Sequence, residues 1–258
     1  MSGPTVDINC DLGESLGHYQ LGDDEAMMPS ITSANLACGF HAGDPLVMQA
    51  TVDLCLQHGV AVGAHPGYPD LWGFGRRPLA CSAAEVRAYV LYQLGALSAY
   101  LQTHGARLQH VKAHGALYNA AATDETLAQA IAEAVFQFDR QLILVGPTGS
   151  CLIAAGKAQG LPVANEVFAD RAYNHDGALV ARTQPGAVLT AAAQVVRRVS
   201  DLITRGGLEA IDGTFLPLAA DTICIHGDTP GAAQFGQTLK EELEKAGYRL
   251  QAMGRGCA

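Results

Sequence analysis

An alternation of two segment types constrains this chain most. Seven short apolar runs recur along it: "TVDIN" (5–9), "SANLA" (33–37), "VAVGAH" (60–65), "HVKAH" (110–114), "LILVG" (142–146), "VANEVF" (163–168) and "DTICIH" (221–226). They are β-branched and too short for helices, so they read as strands. Between them lie "PLVMQATVDLCLQHG", "SAAEVRAYVLYQLGALSAYLQTHG", "DETLAQAIAEAVFQF", "SCLIAAGKAQG", "GAVLTAAAQVVRRVSDLITRGG" and "GAAQFGQTLKEELEKAG". These carry apolar residues at i, i+3 and i+4, and several end at Gly, as helices do. Ser82 with Glu85 forms a capping box before one of them. Strands joined through helices run parallel, and a parallel sheet is covered on its faces. No hairpin signal, linker tract or repeat stands out, so residues 1–258 are taken as a single α/β domain. A hydrophobic fraction of 49% against 16% charged residues supplies the core.

Two architectures fit such a pattern. An open doubly wound sheet concentrates chemistry at one switch point. A closed barrel collects it at the C-terminal ends of all its strands. Here the polar residues are spread over successive strand ends. The first run leads to Asn9, Asp11 and Glu14, and the second to Asn35 and His41. The third ends at His65, and the fourth holds Lys112 and His114. The fifth opens a Gly-rich turn from Gly146 to Ser150. The sixth leads to Glu166, Asp170 and Arg171, and the seventh to His226 and Asp228. That distribution favours a TIM-like (β/α) barrel of seven strands, with these groups around one mouth. Lys112 and His114 are two apart and so share a face of their strand. Both are expected in one cavity with Asp11 and His65, with Val111 and Ala113 turned out to the helices. On this reading Lys112→Met removes turnover with limited loss of stability.

Other polar residues read as structural. Asp44 before Pro45 has the pattern of an N-cap with Pro at N1. His58, His104 and Lys245 sit at helix ends where positive charge suits the dipole. His110 begins a strand and belongs to the bottom of a barrel. The loop "PGYPDLWGFGRRPLAC" (66–81) is either a lid or a packed loop, and Arg76 or Arg77 on it suits a carboxylate. "GPTGSCLIAAGK" offers backbone amides to an anion but lacks P-loop spacing.

Net charge is −9 with no basic run, which argues against nucleic acid as a partner. No apolar stretch approaches the roughly 18 residues of a membrane span, and no signal peptide is recognised. The seven cysteines are scattered without a C-x-x-C pair, which reads as reduced thiols in a cytoplasm.

The motifs "DINCDLGE", "SANLACGFHAGD", "GAHPGYPD", "FGRR", "HVKAHGALYN", "EVFADRAY" and "CIHGD" resemble the LamB/YcsF family, from about Val6 to the last helix. The resemblance implies a barrel variant of the glycoside hydrolase/deacetylase type. It implies hydrolysis of 5-oxo-L-proline to L-glutamate coupled to ATP, with Mg²⁺ accompanying the nucleotide and with partner subunits B and C. A lactam is a poor electrophile, and coupling to ATP needs a base for water, cations for anions and an acid for the leaving nitrogen. Asp11 or His65 is the candidate base. His41 and His114 are candidate acids or phosphate contacts, and Lys112 and Arg171 supply positive charge. Glu14 and Asp228 orient neighbours or hold Mg²⁺. Asn9, Asn35, Arg76, Glu166, Asp170 and His226 complete the substrate- and phosphate-binding set. Two competing readings stand beside this one. In the first, Asp11, His41 and His65 bind a divalent metal, like the Asp-His-His set of related deacetylases, and the chain is a metal-dependent amide hydrolase or deacetylase. In the second, the barrel binds a ligand without turnover.

Overall fold

Each of the seven apolar runs becomes a strand, and the strands close on themselves. The structure, a computed structural model, describes residues 4–180, 184–189, 191–225 and 231–254. β1 (Thr5–Leu12), the short α1 (Asp24–Met27) and β2 (Ser33–Ala37) come first. Next are α2 (Pro45–His58), β3 (Ala61–His65), α3 (Ala83–Thr103) and β4 (His110–Lys112). Two helices follow, α4 (Gly115–Thr123) and α5 (Glu125–Phe138), then β5 (Ile143–Pro147), α6 (Cys151–Gln159) and β6 (Val163–Phe168). The last part holds α7 (Ala192–Arg205), β7 (Gly207–Glu209), β8 (Phe215–Pro217), β9 (Thr222–Ile225), α8 (Ala232–Lys245) and β10 (Arg249–Leu250).

The barrel order is β1-β2-β3-β4-β5-β6-β9, and β9 pairs back onto β1. Every pairing in the ring is parallel. This is a closed seven-stranded TIM-like barrel, and the open-sheet alternative is set aside. Helix ends follow local chemistry. Asp44 accepts from the amides of Leu46 and Val47, Pro45 sits at the first helical position, and Gly59 ends α2 in the left-handed region. Ser82 and Glu85 make the expected capping box of α3.

Three features depart from the sequence reading. Residues 115–123 form a separate helix, divided from α5 by Asp124, whose side chain accepts from the amides of Thr126 and Leu127. β7 and β8 form an antiparallel hairpin that the reading lacked. Its strands are three residues each and half-exposed, so they show no alternation, and the turn signal Asp212-Gly213 stands alone. α7 also begins later than its periodic segment, at Ala192 rather than near Gly186.

The outward faces of the strands and the inward faces of the helices make one core. Ile8, Leu36, Val62, Val111, Leu144 and Ile223 pack there with Val90, Leu94, Ile131 and Leu239. The barrel interior is instead polar. Period-two alternation sends Asp7, Asn9 and Asp11 inward from β1, with His110 and Lys112 from β4 and Glu166 from β6. Asp11, Asn35, Gly63 and His110 are successive partners across four strands. At Gly63 the His110 ring fills the place of a side chain, since a Cβ there would lie 2.1 Å from His110 Nε2. Among the described residues no helix is long and apolar enough to cross a membrane.

Candidate active site at the barrel mouth

The site is built in levels from the barrel bottom upward. Lowest is Asp7, buried, which accepts from Ser33 Oγ at 2.6 Å and Thr32 Oγ1 at 2.7 Å, and from the Thr222 hydroxyl. Burial still pushes its carboxyl up. Above it, Asn35 Nδ2 donates to Asn9 Oδ1 at 2.7 Å and to Asp11 Oδ1 at 2.8 Å. Asn9 Nδ2 donates to Glu166 Oε1 at 3.0 Å and Thr222 Oγ1 at 2.7 Å. Both amides are fully buried and lie beneath the cavity, where they orient Asp11 and Glu166.

Lys112 occupies the next level. Its Nζ lies 2.8 Å from Glu166 Oε1 and 3.1 Å from Asp11 Oδ1, and it donates to Asn9 Oδ1 at 3.2 Å. Burial opposes its charge, but Asp11, Cys224 and Glu166 more than offset this and hold its pKa well above the usual lysine value. Asp11 is the counterpart. Burial alone would raise its pKa, yet the adjacent His65 and the charge of Lys112 hold it well below the ordinary carboxylate range. Its side chain remains 21% exposed, toward the mouth. Glu166 accepts on its other oxygen from Tyr118 Oη at 2.6 Å.

The histidines form the wall beside this pair. His65 Nε2 lies 3.3 Å from Asp11 Oδ2, and His65 Nδ1 donates to the Lys112 carbonyl at 2.7 Å. His114 Nδ1 faces His65 Nε2 at 2.9 Å, with the two rings perpendicular at 90°. His114 Nε2 donates to the Phe74 carbonyl at 2.8 Å. His41 stacks on His114 with centroids 3.7 Å apart and planes 2° from parallel, and its Nε2 lies 3.5 Å from Glu14 Oε1. Burial and the neighbouring histidines push the pKa of His41 well down. Burial also lowers that of His114, to about 3.

The 66–81 loop closes over this wall. Phe74 is a non-glycine residue at φ 54°, a strained conformation costing on the order of 1–3 kcal/mol. Its ring meets His41 and His114 edge-on, at 5.8 and 5.2 Å. Gly75, at φ +62°, passes so close that a Cβ would sit 2.8 Å from both His41 and His114. The loop is pinned at its start by Gln93 of α3, which donates to the Gly67 carbonyl and accepts from the Gly67 amide, each at 2.9 Å. Arg77 is bound to Asp70 within the loop. Arg76 lines the mouth with its guanidinium 4.9 Å from the Phe74 ring centroid.

The mouth opens into a cavity of about 770 Å³, within the range of small-molecule sites. Asp11, His65, Arg76, Lys112, His114, Glu166 and Arg171 all reach it. Lys112 and His114 thus share a cavity with Asp11 and His65, as the i, i+2 spacing requires. The turn Thr148-Gly149-Ser150 at the start of α6 forms another part of its lining. Arg171 also donates to the carbonyls of Val180 at 2.7 Å and Ala187 at 3.4 Å, tying down the segment that flanks the cavity. Asp170 is buried beside it. His226 and Asp228 lie outside the described residues. Tyr118 and Cys224 escaped the sequence reading. Tyr118 lies four residues beyond His114, one helical turn into α4, a spacing that would have shown it once that helix was seen.

The metal set expected from the sequence, Asp11, His41 and His65, is regrouped. Glu14, His41, His65 and His114 each offer a ligand atom, and these atoms lie within 4.8 Å of one another. Asp11 adjoins the group through His65.

The LamB/YcsF family model matches residues 6–257. A protein of Syntrophobacter fumaroxidans, named as the A subunit of 5-oxoprolinase, is 54% identical over 249 residues, covering 96% of this chain and 98% of its own. One of the same name from Geobacillus thermodenitrificans is 52% identical, covering 96% and 97%. A crystal structure described as a lactam utilization protein from Thermus thermophilus superposes with a TM-score of 0.93 at 46% identity, covering 96% of this chain and 100% of that one.

Proposed function

Since the chain belongs to the LamB/YcsF family, we propose that it is the A subunit of an ATP-dependent 5-oxoprolinase, hydrolysing 5-oxo-L-proline to L-glutamate together with subunits B and C. The relatives' shared name supports a lactam-hydrolysing role within a multi-subunit enzyme. The observation that carries the reading is the Lys112–Asp11–Glu166 cluster, a buried cation between two carboxylates at the floor of a cavity that opens at the strand ends.

The chemistry sets what the residues must do. ATP phosphorylates the lactam oxygen, releasing ADP and leaving C5 activated. Water adds to C5. The tetrahedral adduct must then break its C–N bond rather than the C–O bond to phosphate, because loss of phosphate would regenerate the lactam. Protonation of the ring nitrogen decides that choice. The acyl phosphate left behind takes a second water to give glutamate and phosphate. Asp11, ionised and exposed to the mouth, is placed to accept the proton of the attacking water, with His65 at its second oxygen. Lys112 supplies fixed positive charge for the oxygen that becomes anionic in addition. Arg76 and Arg171 at the rim suit the substrate carboxylate and phosphate. The amides of the Thr148–Ser150 turn at the α6 N-terminus suit a phosphate of ATP, with Mg²⁺ bound to the nucleotide.

The test is Asp11→Asn in the enzyme reconstituted with subunits B and C. It keeps the shape and removes the base, so glutamate release falls by about 10²-fold or more. Wild-type rates from the variant would remove Asp11 from the chemistry.

A further inference from the structure

The histidine wall has more lone pairs than protons. His65 Nδ1 faces the Lys112 carbonyl at 2.7 Å, and His114 Nε2 faces the Phe74 carbonyl at 2.8 Å. A carbonyl only accepts, so both of these nitrogens carry hydrogens. In neutral rings the other nitrogens, His65 Nε2 and His114 Nδ1, are therefore both acceptors. They face each other at 2.9 Å. Two carboxylate oxygens, also acceptors, complete the ring: Asp11 Oδ2 is 3.3 Å from His65 Nε2, and Glu14 Oε1 is 3.6 Å from His114 Nδ1. Two ring acceptors 2.9 Å apart, with a carboxylate oxygen beside each, need a proton or a cation between them.

The geometry points to a divalent transition-metal site of the zinc class, held by His65 Nε2, His114 Nδ1 and Glu14, whose donor atoms lie within 4.8 Å of one another, with Asp11 beside it. Perpendicular rings let both nitrogen lone pairs aim at one ion, and tetrahedral Zn–N bonds of about 2.0–2.1 Å put such nitrogens roughly 3.3 Å apart. A shift of a few tenths of an ångström therefore suffices. Each ring already donates its other N–H to a backbone carbonyl, the outer arrangement usual for metal-binding histidines. His41 is not a ligand in this set. Its ring is parallel to that of His114 and 3.7 Å from it, so an ion in the plane of His114 lies far from the plane of His41. It is a positioning residue, packed on His114 with Nε2 toward Glu14. This differs from the Asp11, His41 and His65 set expected from the sequence in dropping Asp11 and His41 as ligands and adding His114 and Glu14. It rests on the geometry of the wall and not on the ATP-coupled reaction.

The experiment uses the full chain, stripped with a chelator and titrated with Co²⁺ and Zn²⁺. Bound metal is read by mass spectrometry of the metal, by the visible absorption of Co²⁺ and by the melting temperature, none of which needs turnover. About one ion per chain binds, with tetrahedral Co²⁺ bands and a raised melting temperature. His65→Ala and His114→Ala each weaken binding by at least about 10-fold, whereas His41→Ala retains one ion per chain. X-ray absorption on the wild-type protein guards against variants that fail to fold, and shows two imidazoles with oxygen ligands around the ion. Sub-stoichiometric binding, binding indifferent to His65 and His114, or loss of the ion in a folded His41→Ala would overturn the proposal. A bridging proton between the two rings would then be the positive centre.

Discussion

Lys112 keeps its charge where burial alone would remove it, because Asp11 and Glu166 face it from two other strands. That mutual dependence revises one expectation. From the sequence, Lys112→Met loses turnover with little loss of stability; in the structure it also strands the buried Glu166 and the half-buried Asp11. The variant is therefore expected to lose activity and to be less stable by about 3–5 kcal/mol, the usual result of removing one partner of a buried pair, as chemical denaturation would measure. Tyr118→Phe is milder. It takes the hydroxyl donor from Glu166 Oε2 and should cost about 1–3 kcal/mol; an unchanged denaturation midpoint would mean that bond contributes nothing. His110 gives a pH dependence. Burial first, then the charge of Lys112, lowers its pKa from 6.5 to about 3. Below pH 6.5 the unfolded chain binds a proton that the folded chain refuses, so stability falls as pH drops from about 6.5 toward 3. The melting temperature should fall over that interval, and His110→Gln should make the fall shallower, the remainder coming from His41 and His114.

At the level of elements, strands were legible and their companions less so. A strand covered on both faces leaves a continuous apolar run, and all seven barrel strands did. The polar residues set into those runs showed the inward face, because period two places Asp7, Asn9 and Asp11 together. α4 was hidden by Gly115, which reads as a stop and here serves as the first residue of a helix. With α4 went Tyr118. The hairpin was hidden by strands too short to alternate. The partners of the histidines were also beyond reach of spacing: nothing local to "GFHAG" says that His41 stacks on His114 rather than adjoining Asp11. Gly63 shows how closely the elements fit, since β3 must lack a side chain where β4 places His110. Gly63→Ala puts a Cβ 2.1 Å from that ring and should destabilise by about 1–3 kcal/mol or more, a shift measurable in the denaturation midpoint. Wild-type stability would mean the ring has room to move.

At the scale of the whole molecule, the barrel leaves one mouth for chemistry, and part of its rim is apolar and open. Trp72 is 97% exposed at the outer edge of the 66–81 loop, whose inner edge holds Phe74 on the histidine wall. The most direct measurement is release of L-glutamate from 5-oxo-L-proline by this chain, assayed alone and with subunits B and C, each with and without ATP. Release is expected only from the full set of subunits with ATP, in step with formation of ADP. Release by the isolated chain, or release that proceeds without ATP, would contradict the proposed activity.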